Sequence, residues 1–144
     1  MKVADVIKNR KDVFTVTDTT SVHDAARYLR EKQVRACGVT DAVGNLVGCL
    51  SQSDISDKVA AENKCPAWMQ VKEVMSTDPI KVTPEMSLDE CLRLMDEHGI
   101  YHLCIVDPQA GYRGMMSVHD LLQVIASDEK QRADLMESYV FPQH

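Results

Sequence analysis

The chain repeats itself at a fixed offset of 66 residues, and this internal repeat constrains the fold more than any other feature. Residues 48–54 read GCLSQSD, and residues 114–120 read GMMSVHD. The same offset aligns residues 14–56 with residues 80–122 without a gap, and most aligned pairs keep their polarity. The leading segments MKVADVI and MQVKEVM match at an offset of 68. Two copies are too few for a solenoid or a propeller, so we expect a face-to-face pair with pseudo-twofold symmetry.

Each copy carries the same order of predicted elements. A short extended segment (residues 13–17 or 79–83) precedes a helix that opens at Ser21 or Ser87 and has apolar residues at helical spacing. Two nearly continuous apolar strands joined by a turn follow, and a second helix begins at each Ser-x-x-Asp. The order is β-α-β-β-α twice, which predicts an α+β fold. We place repeat 1 at residues 1–62, a linker at 63–68, repeat 2 at 69–126 and a helical tail at 127–144.

Composition limits the classes of partner. The net charge is -6 and there is no Lys/Arg cluster of the kind that tracks a phosphate backbone, so we expect no nucleic-acid partner. No apolar run approaches the length of a bilayer and the N-terminus is not a secretory signal, so we expect no membrane association. The five cysteines are odd in number and show no CxxC spacing, which favours reduced thiols and a cytoplasmic location.

The order of these features resembles a pair of cystathionine-β-synthase (CBS) domains, also called a Bateman module. The opening of such a domain is similar to VKEVMSTDPIKVTPEMSLDECLRLMDEHGIYHLCIVD, and its close is similar to LVGCLSQSDI and YRGMMSVHDLL. The resemblance covers about residues 1–126. What remains is too short for an attached enzyme or transporter domain, so the chain is similar to a free-standing pair.

The resemblance implies a regulatory module and not an enzyme. CBS pairs commonly bind an adenosine-containing ligand, such as AMP, ADP or ATP, in the cleft between the copies. They often form homodimers, and they signal to a protein partner when the ligand favours one conformation. We therefore expect a homodimer that requires no cofactor, with an adenosine nucleotide as regulatory ligand. Its protein partner is unknown, because no effector domain is attached.

The resemblance also implies a set of site residues. Asp54 and Asp120 would accept hydrogen bonds from ribose hydroxyls, and Ser51 and Ser117 would contact ribose or phosphate. Segments before the first helices would line the adenine pocket, Arg35 and His102 would contribute from the starts of the second strands, and His119 would contact phosphate. The adenine-lining residues are Phe14, Thr15, Val16, Ile80, Lys81 and Val82. The chemistry is reasonable, because the first turn of a helix attracts phosphate and a carboxylate can accept from both ribose hydroxyls.

Other interpretations stay open at this point. Ser-x-x-Asp is also a capping box, which stabilises a helix by about 0.5–2 kcal/mol without any ligand. Position 53, the counterpart of His119, is Ser, and Gly38 and Cys104 stand where the family commonly has Pro, so we expect the Asp120 site to be better equipped than the Asp54 site. These departures motivate a second hypothesis, a scaffold with vestigial clefts. A third is an enzyme or metal-redox sensor that uses Cys and His residues; His102 and Cys104 alternate on one strand, but we expect no metal site there.

Overall fold

The structure, a computed structural model, describes residues 1–140, except for the side chains of Leu135 and residues 138–140. The predicted strands are present, with ends that differ from the expectation by at most two residues. The second helix of repeat 1 is short and continues as a π-helical turn at Ser56–Ala60, and 3₁₀ turns lie at Pro66–Trp68 and Val71–Glu73. In chain order the elements are α1 (Val3–Ile7), β1 (Thr15–Thr17), α2 (Val22–Lys32), β2 (Ala36–Thr40), β3 (Leu46–Ser51), α3 (Gln52–Ile55), β4 (Lys81–Val82), α4 (Leu88–His98), β5 (His102–Asp107), β6 (Gly111–Ser117) and α5 (Val118–Val140).

Each repeat forms a three-stranded sheet of its own, in the order β1-β2-β3 or β4-β5-β6. The first two strands of each sheet are parallel and the last two are antiparallel. Thr15 pairs with Gly38 in the first sheet and Lys81 pairs with Cys104 in the second, so the offset of 66 residues superimposes the two registers. The α+β prediction is therefore confirmed.

The first helices of the two repeats begin and end in the same way. The hydroxyl groups of Ser21 and Ser87 accept hydrogen bonds from the backbone N–H groups three residues later. These N–H groups lie in the first turn of the helix, where no carbonyl of the same helix can accept from them. Gln33 and Gly99 end the helices in the left-handed conformation, with φ of 57° and 61°. The buried residues on these helices recur at helical spacing and face separate cores: Val22, Ala25 and Leu29 in α2, and Leu88, Cys91 and Met95 in α4.

The leading segment of each repeat packs against the other repeat. Val3 and Ile7 are buried in the core built by α4 and the second sheet, whereas Val71 and Val74 are buried in the core built by α2 and the first sheet. The chain therefore crosses between the halves twice. The proposed boundaries at residues 62 and 69 stay a prediction, and the leading segment of each repeat packs in the core of the other repeat. The first crossing brings the N-terminal segment to the edge of β6, where the candidate site lies.

The two sheets meet where β2 approaches β6. A Cβ atom on Gly38 would lie 2.7 Å from ring atoms of Tyr112, so any larger residue here would require this ring to move. The backbone N–H of Gly38 also donates to the carbonyl of Phe14 at 3.3 Å, and that of Cys104 donates to the carbonyl of Ile80 at 3.1 Å. A proline at either position would lose this hydrogen bond, since it has no N–H to donate.

The hydroxyl group of Tyr112 is buried at this contact between the sheets. It lies near the Gly38 backbone, but it makes no well-formed hydrogen bond to the part of the chain that the structure describes. Burial raises the pKa of Tyr112 well above the usual value for a phenol, so the hydroxyl stays protonated. The contact between the repeats is therefore tight and largely apolar around this ring.

Helix α5 begins at the second Ser-x-x-Asp and runs to Val140, so it includes residues 127–140 of the predicted tail. The last residues of that tail, 141–144, lie outside the described residues. No helix within residues 1–140 combines the length and the apolar character that crossing a bilayer would need.

Candidate functional site

Both Ser-x-x-Asp segments form reciprocal capping boxes. In the first, the Asp54 N–H donates to Ser51 Oγ at 3.2 Å and the Ser51 N–H donates to Asp54 Oδ2 at 3.0 Å. In the second, the corresponding distances between Ser117 and Asp120 are 3.1 and 3.0 Å. The capping role is thus real at both helices. A ligand-binding role in addition requires a carboxylate oxygen that the cap leaves available.

The carboxylate of Asp54 is fully engaged. Its Oδ2 also accepts from Ser51 Oγ at 3.1 Å, and its Oδ1 accepts from Lys58 Nζ at 3.2 Å. The Lys58 ammonium group donates in addition to the carbonyl of Val74 at 2.9 Å, which ties the carboxylate to the segment that crosses from the other repeat. Only 12% of the Asp54 side chain is exposed, so a ribose would have to displace several contacts.

The carboxylate of Asp120 is more accessible. Its Oδ2 accepts from the Ser117 N–H and from Arg10 Nη2, the latter at 2.8 Å, whereas Oδ1 accepts no hydrogen bond from the described residues. The side chain is 34% exposed, nearly three times as much as that of Asp54. Asp120 therefore keeps an acceptor for a ligand hydroxyl, and it lies in the first turn of α5, whose N-terminus favours negative charge.

Ionisable residues from both repeats lie around His102, which is close to Asp120. His102 lies opposite Ser117 in the antiparallel pair of β5 and β6. Burial lowers the pKa of His102, while the nearby Asp120 raises it and Arg35 lowers it, so the imidazole is neutral at pH 7 and lies within electrostatic range of both. Arg35 is exposed just before β2, and His119 is exposed next to Asp120. The second site thus brings His102 beside Asp120 and Ser117, with Arg35 near His102, whereas His119 is placed there only by its position in the chain.

The apolar residues proposed to line the adenine pocket are mostly turned away from a cleft. The side chains of Val16 and Val82 are buried in the two cores. Phe14 packs edge-on against Tyr28, with 6.3 Å between the ring centres, and Ile80 packs against the core of the second repeat. Val16 and Val82 therefore offer a ligand only their backbone, whereas Phe14 and Ile80 are partly buried and keep some accessible side-chain surface.

The residues between these apolar positions face the other side of each sheet. Thr15 is half-buried and pairs with Gly38, whereas Lys81 is exposed and pairs with Cys104. Lys81 lies near enough to Cys104 to favour its thiolate. Their side chains therefore remain candidates to meet a ligand between the repeats.

Sequence reasoning missed the two cations that bind the aspartates, Arg10 and Lys58. Lys58 follows Asp54 by four residues on a helical segment, and this spacing could have revealed the pair. Arg10 is 110 residues from Asp120, and no local pattern links them. Neither cation has a basic counterpart in the other repeat, because the aligned positions are Val124 and Asp78. The two sites therefore differ in more than the departures visible in the motif.

The edge of the first site is also closed by backbone. Cys49 and Ser76 exchange two backbone hydrogen bonds of 3.0 and 2.9 Å, which bind the crossing segment to β3. The counterpart of Cys49 in the second repeat is Met115, whose carbonyl accepts from the Arg10 guanidinium and not from a backbone N–H. The first site is thus sealed by main chain, and the second is covered by one side chain.

The thiols at the contact between the repeats are poor nucleophiles. Burial raises the pKa of Cys37 to about 12 and the pKa values of Cys49 and Cys104 to about 11, so these thiols are protonated at pH 7. All five cysteines are free. No group of three or more His, Cys, Asp or Glu side chains with a metal-binding arrangement occurs within the described part of the chain. The hypothesis of thiol chemistry gains no support from these residues.

Comparison with known proteins identifies the family. The CBS domain model matches twice, at residues 3–61 and 71–127. The CBS domain-containing protein YhcV of Bacillus subtilis is 34% identical over 109 residues, which cover 76% of each chain. A putative signal-transduction protein with CBS domains from Burkholderia ambifaria superimposes with a TM-score of 0.82 and 30% identity, over 89% of this chain and 96% of that one. The chain belongs to the CBS-domain family and contains a tandem pair of these domains.

A more distant structural neighbour shows the same fold with ligands. The CBS domain pair of protein MJ0100, in complex with 5-methylthioadenosine and S-adenosyl-L-methionine, has a TM-score of 0.76 at 23% identity, over 87% of this chain and 99% of that one. Several curated relatives are longer than this chain, which spans 59%, 40% and 17% of the first three. Such relatives carry parts to which this chain has no counterpart in the match.

Proposed function

We propose that this CBS pair is a regulatory module that binds an adenosine-containing ligand, such as AMP, ADP or ATP, at Asp120. The observation that carries the proposal is the difference between the two carboxylates: Asp120 is one-third exposed and keeps Oδ1 available, whereas Asp54 is closed by Lys58 and by the cap. The adenosyl compounds bound by the CBS pair of MJ0100 support the class of ligand. We expect one ligand per chain.

The ligand would act by changing how the two repeats meet. The Asp120 site draws on Arg35 from the first repeat, on Ser117 and His102 from the second, and on the N-terminal segment that crosses between them. A ligand held by all three parts stabilises the arrangement in which they lie closest together. A protein partner that contacts both repeats would sense this change. We keep the cytoplasmic location as part of the proposal, because the five cysteines are free thiols.

Thermal melts of the purified protein with AMP, ADP, ATP, S-adenosylmethionine and a GTP control test this function. A ligand at a hundred times its dissociation constant adds about 2.7 kcal/mol to the free energy of unfolding. For a chain of this length, the melting temperature should rise by roughly 5–11 °C. A rise with an adenosyl compound and none with GTP is the expected result. Unchanged melts with all of them would instead favour the scaffold hypothesis.

The expected homodimer also belongs to the proposal. A shallow groove of about 300 Å³ lies between α4 and α5 and is lined by Leu92, Met95, Ile100 and Tyr101 among others, and a similar groove of about 240 Å³ lies between α2 and α3. Tyr101 and Leu122, on the helical side of repeat 2, are 69% and 50% exposed. Apolar surface of this kind supports pairing of two chains through their helices. Sedimentation at the mass of a single chain would contradict it.

A further inference from the structure

The contact between Arg10 and Asp120 joins the N-terminal segment to the candidate site. Arg10 lies between α1 and β1, where the chain crosses from one repeat to the other. Its Nη2 donates to Asp120 Oδ2 at 2.8 Å, and its Nη1 donates to the carbonyl of Met115 on β6. The guanidinium also lies 3.5 Å from the position that a Cβ atom would take on Gly114. Arg10 thus covers the edge of the Asp120 site and occupies one of its two carboxylate oxygens.

This cover differs in kind from the one on the first site. There, Ser76 is held to Cys49 by two backbone hydrogen bonds, which cannot open unless the whole crossing segment moves. At the second site, the aligned carbonyl of Met115 is held by a long side chain, which can swing away through its own rotations. Arg10 is therefore a movable cover.

The pair of Arg10 and Asp120 is weak enough for a ligand to open. Their side chains are 29% and 34% exposed, so water screens the attraction. Breaking an ion pair of this exposure costs a ligand no more than about fivefold in affinity. A ribose that donates both hydroxyls to the carboxylate can therefore compete with Arg10, and the displaced guanidinium remains next to the bound ligand.

The surroundings determine what the displaced guanidinium prefers. Of the side chains near Asp120, Arg35 is a cation and His102 is a neutral imidazole, so neither offers an anion to the displaced guanidinium. A phosphate matches the planar fork of a guanidinium, which can bind it through two parallel hydrogen bonds. A neutral nucleoside would displace Arg10 from the carboxylate and would leave the guanidinium without an anionic partner.

We propose that Arg10 determines the specificity of the Asp120 site, by releasing the carboxylate to the ribose and binding an anionic group of the same ligand. The site then prefers adenosyl ligands that carry a phosphate to neutral nucleosides. This inference rests on the proposed function and adds to it the residue that selects ligands with a phosphate over neutral nucleosides. Arg10 also couples occupancy of the site to the segment that crosses between the repeats.

The test is a titration of the full chain with AMP and with adenosine, in the wild type, Arg10→Gln and Arg10→Lys, with Arg113→Gln as the matched control. Arg113 is also an arginine paired with a carboxylate, that of Asp107, and lies on β6 away from Asp120. In Arg10→Gln we expect AMP to bind about tenfold more weakly, while adenosine binds equally well or up to about fivefold more tightly. Arg10→Lys should fall between, because it keeps the charge and loses the fork. Arg113→Gln should match the wild type.

The ratio of the two affinities separates this role from a structural one, because a distorted site would weaken both ligands alike. If the wild type binds AMP and Arg10→Gln leaves the ratio unchanged, the role of Arg10 is wrong and the proposed function stands. A wild type that binds adenosine as tightly as AMP would likewise contradict the role of Arg10 and leave the proposed function in place. If the wild type binds neither compound, this inference is overturned, and the proposed function is overturned with it when none of the adenosyl compounds raises the melting temperature.

Discussion

Asp120→Asn is expected to weaken binding of an adenosyl ligand by about a hundredfold or more. The substitution removes the charge that strengthens the two hydrogen bonds from the ribose, and such bonds contribute about 1.5–3 kcal/mol each. Asparagine keeps an oxygen that can accept from the Ser117 N–H, so the cap of α5 survives. The lost pair with Arg10 is one-third exposed and contributes at most about 1 kcal/mol to stability. Calorimetric titration and a melt of the same sample check both statements.

Asp54→Asn is the matched control for this prediction. It makes the same chemical change at the aligned position, where Lys58 and the cap already occupy the carboxylate. We expect affinity for the ligand to stay within about twofold of the wild type, a difference of less than 0.5 kcal/mol by the usual conversion, ~1.4 kcal/mol for tenfold. Equal losses in the two variants would show that the sites are equivalent, and the asymmetry that carries the proposed function would be wrong.

Gly48→Ala is expected to lower the free energy of unfolding by about 3 kcal/mol. A Cβ atom at this position would approach the backbone carbonyl oxygen of Ser76 far inside contact distance, and Met75 Sδ would lie 3.1 Å away. Relief requires the crossing segment to move, which breaks the two hydrogen bonds between Cys49 and Ser76, and overpacking adds its own cost. The melting temperature should fall by roughly 6–12 °C.

A second variant shows whether the carbonyl is the obstacle. The side chain of Met75 can be shortened, so Met75→Ala removes the flexible neighbour and leaves the carbonyl of Ser76 in place. Gly48→Ala should therefore remain as destabilising in the Met75→Ala background as in the wild type. Full recovery in that background, or a melt of Gly48→Ala that matches the wild type, would mean that the first site is not sealed by main chain.

The fold was predictable from the sequence because the main structural features of one repeat recur at the aligned positions of the other. Aligned positions such as Ser21 and Ser87, or Gly38 and Cys104, take the same structural place in the two halves. Because the unit is duplicated, each repeat independently predicted the same order of strands and helices. The crossing of the leading segments was not predictable from the pattern, because Val3 and Val71 are buried whichever repeat they pack on.

The candidate site was predicted in part. The motif located Asp120 and Ser117, and the spacing of Ser-x-x-Asp correctly indicated a cap at both helices. The side chains of Val16 and Val82 were placed in a binding segment, but alternation along a strand turns them into the cores. Arg10 was missed, because an ion pair that spans 110 residues leaves no periodic trace in a sequence.

The asymmetry between the sites has a simple physical origin. Each repeat kept its cap, and each carboxylate acquired a different cation: Lys58 from the same helical segment at the first, and Arg10 from the crossing segment at the second. The first arrangement buries the carboxylate and the second leaves it partly exposed. Duplication therefore supplied two similar devices, of which we expect one to bind the ligand and the other to stabilise the fold.

The most direct test of the central claim is a calorimetric titration of the wild-type protein with the adenosyl compound that raises its melting temperature most. We expect saturation at one ligand per chain, and no saturable binding in Asp120→Asn at the same concentrations. Two equivalents per chain, binding that survives Asp120→Asn, or no saturable heat with any adenosyl compound would contradict the claim that Asp120 forms the ligand site.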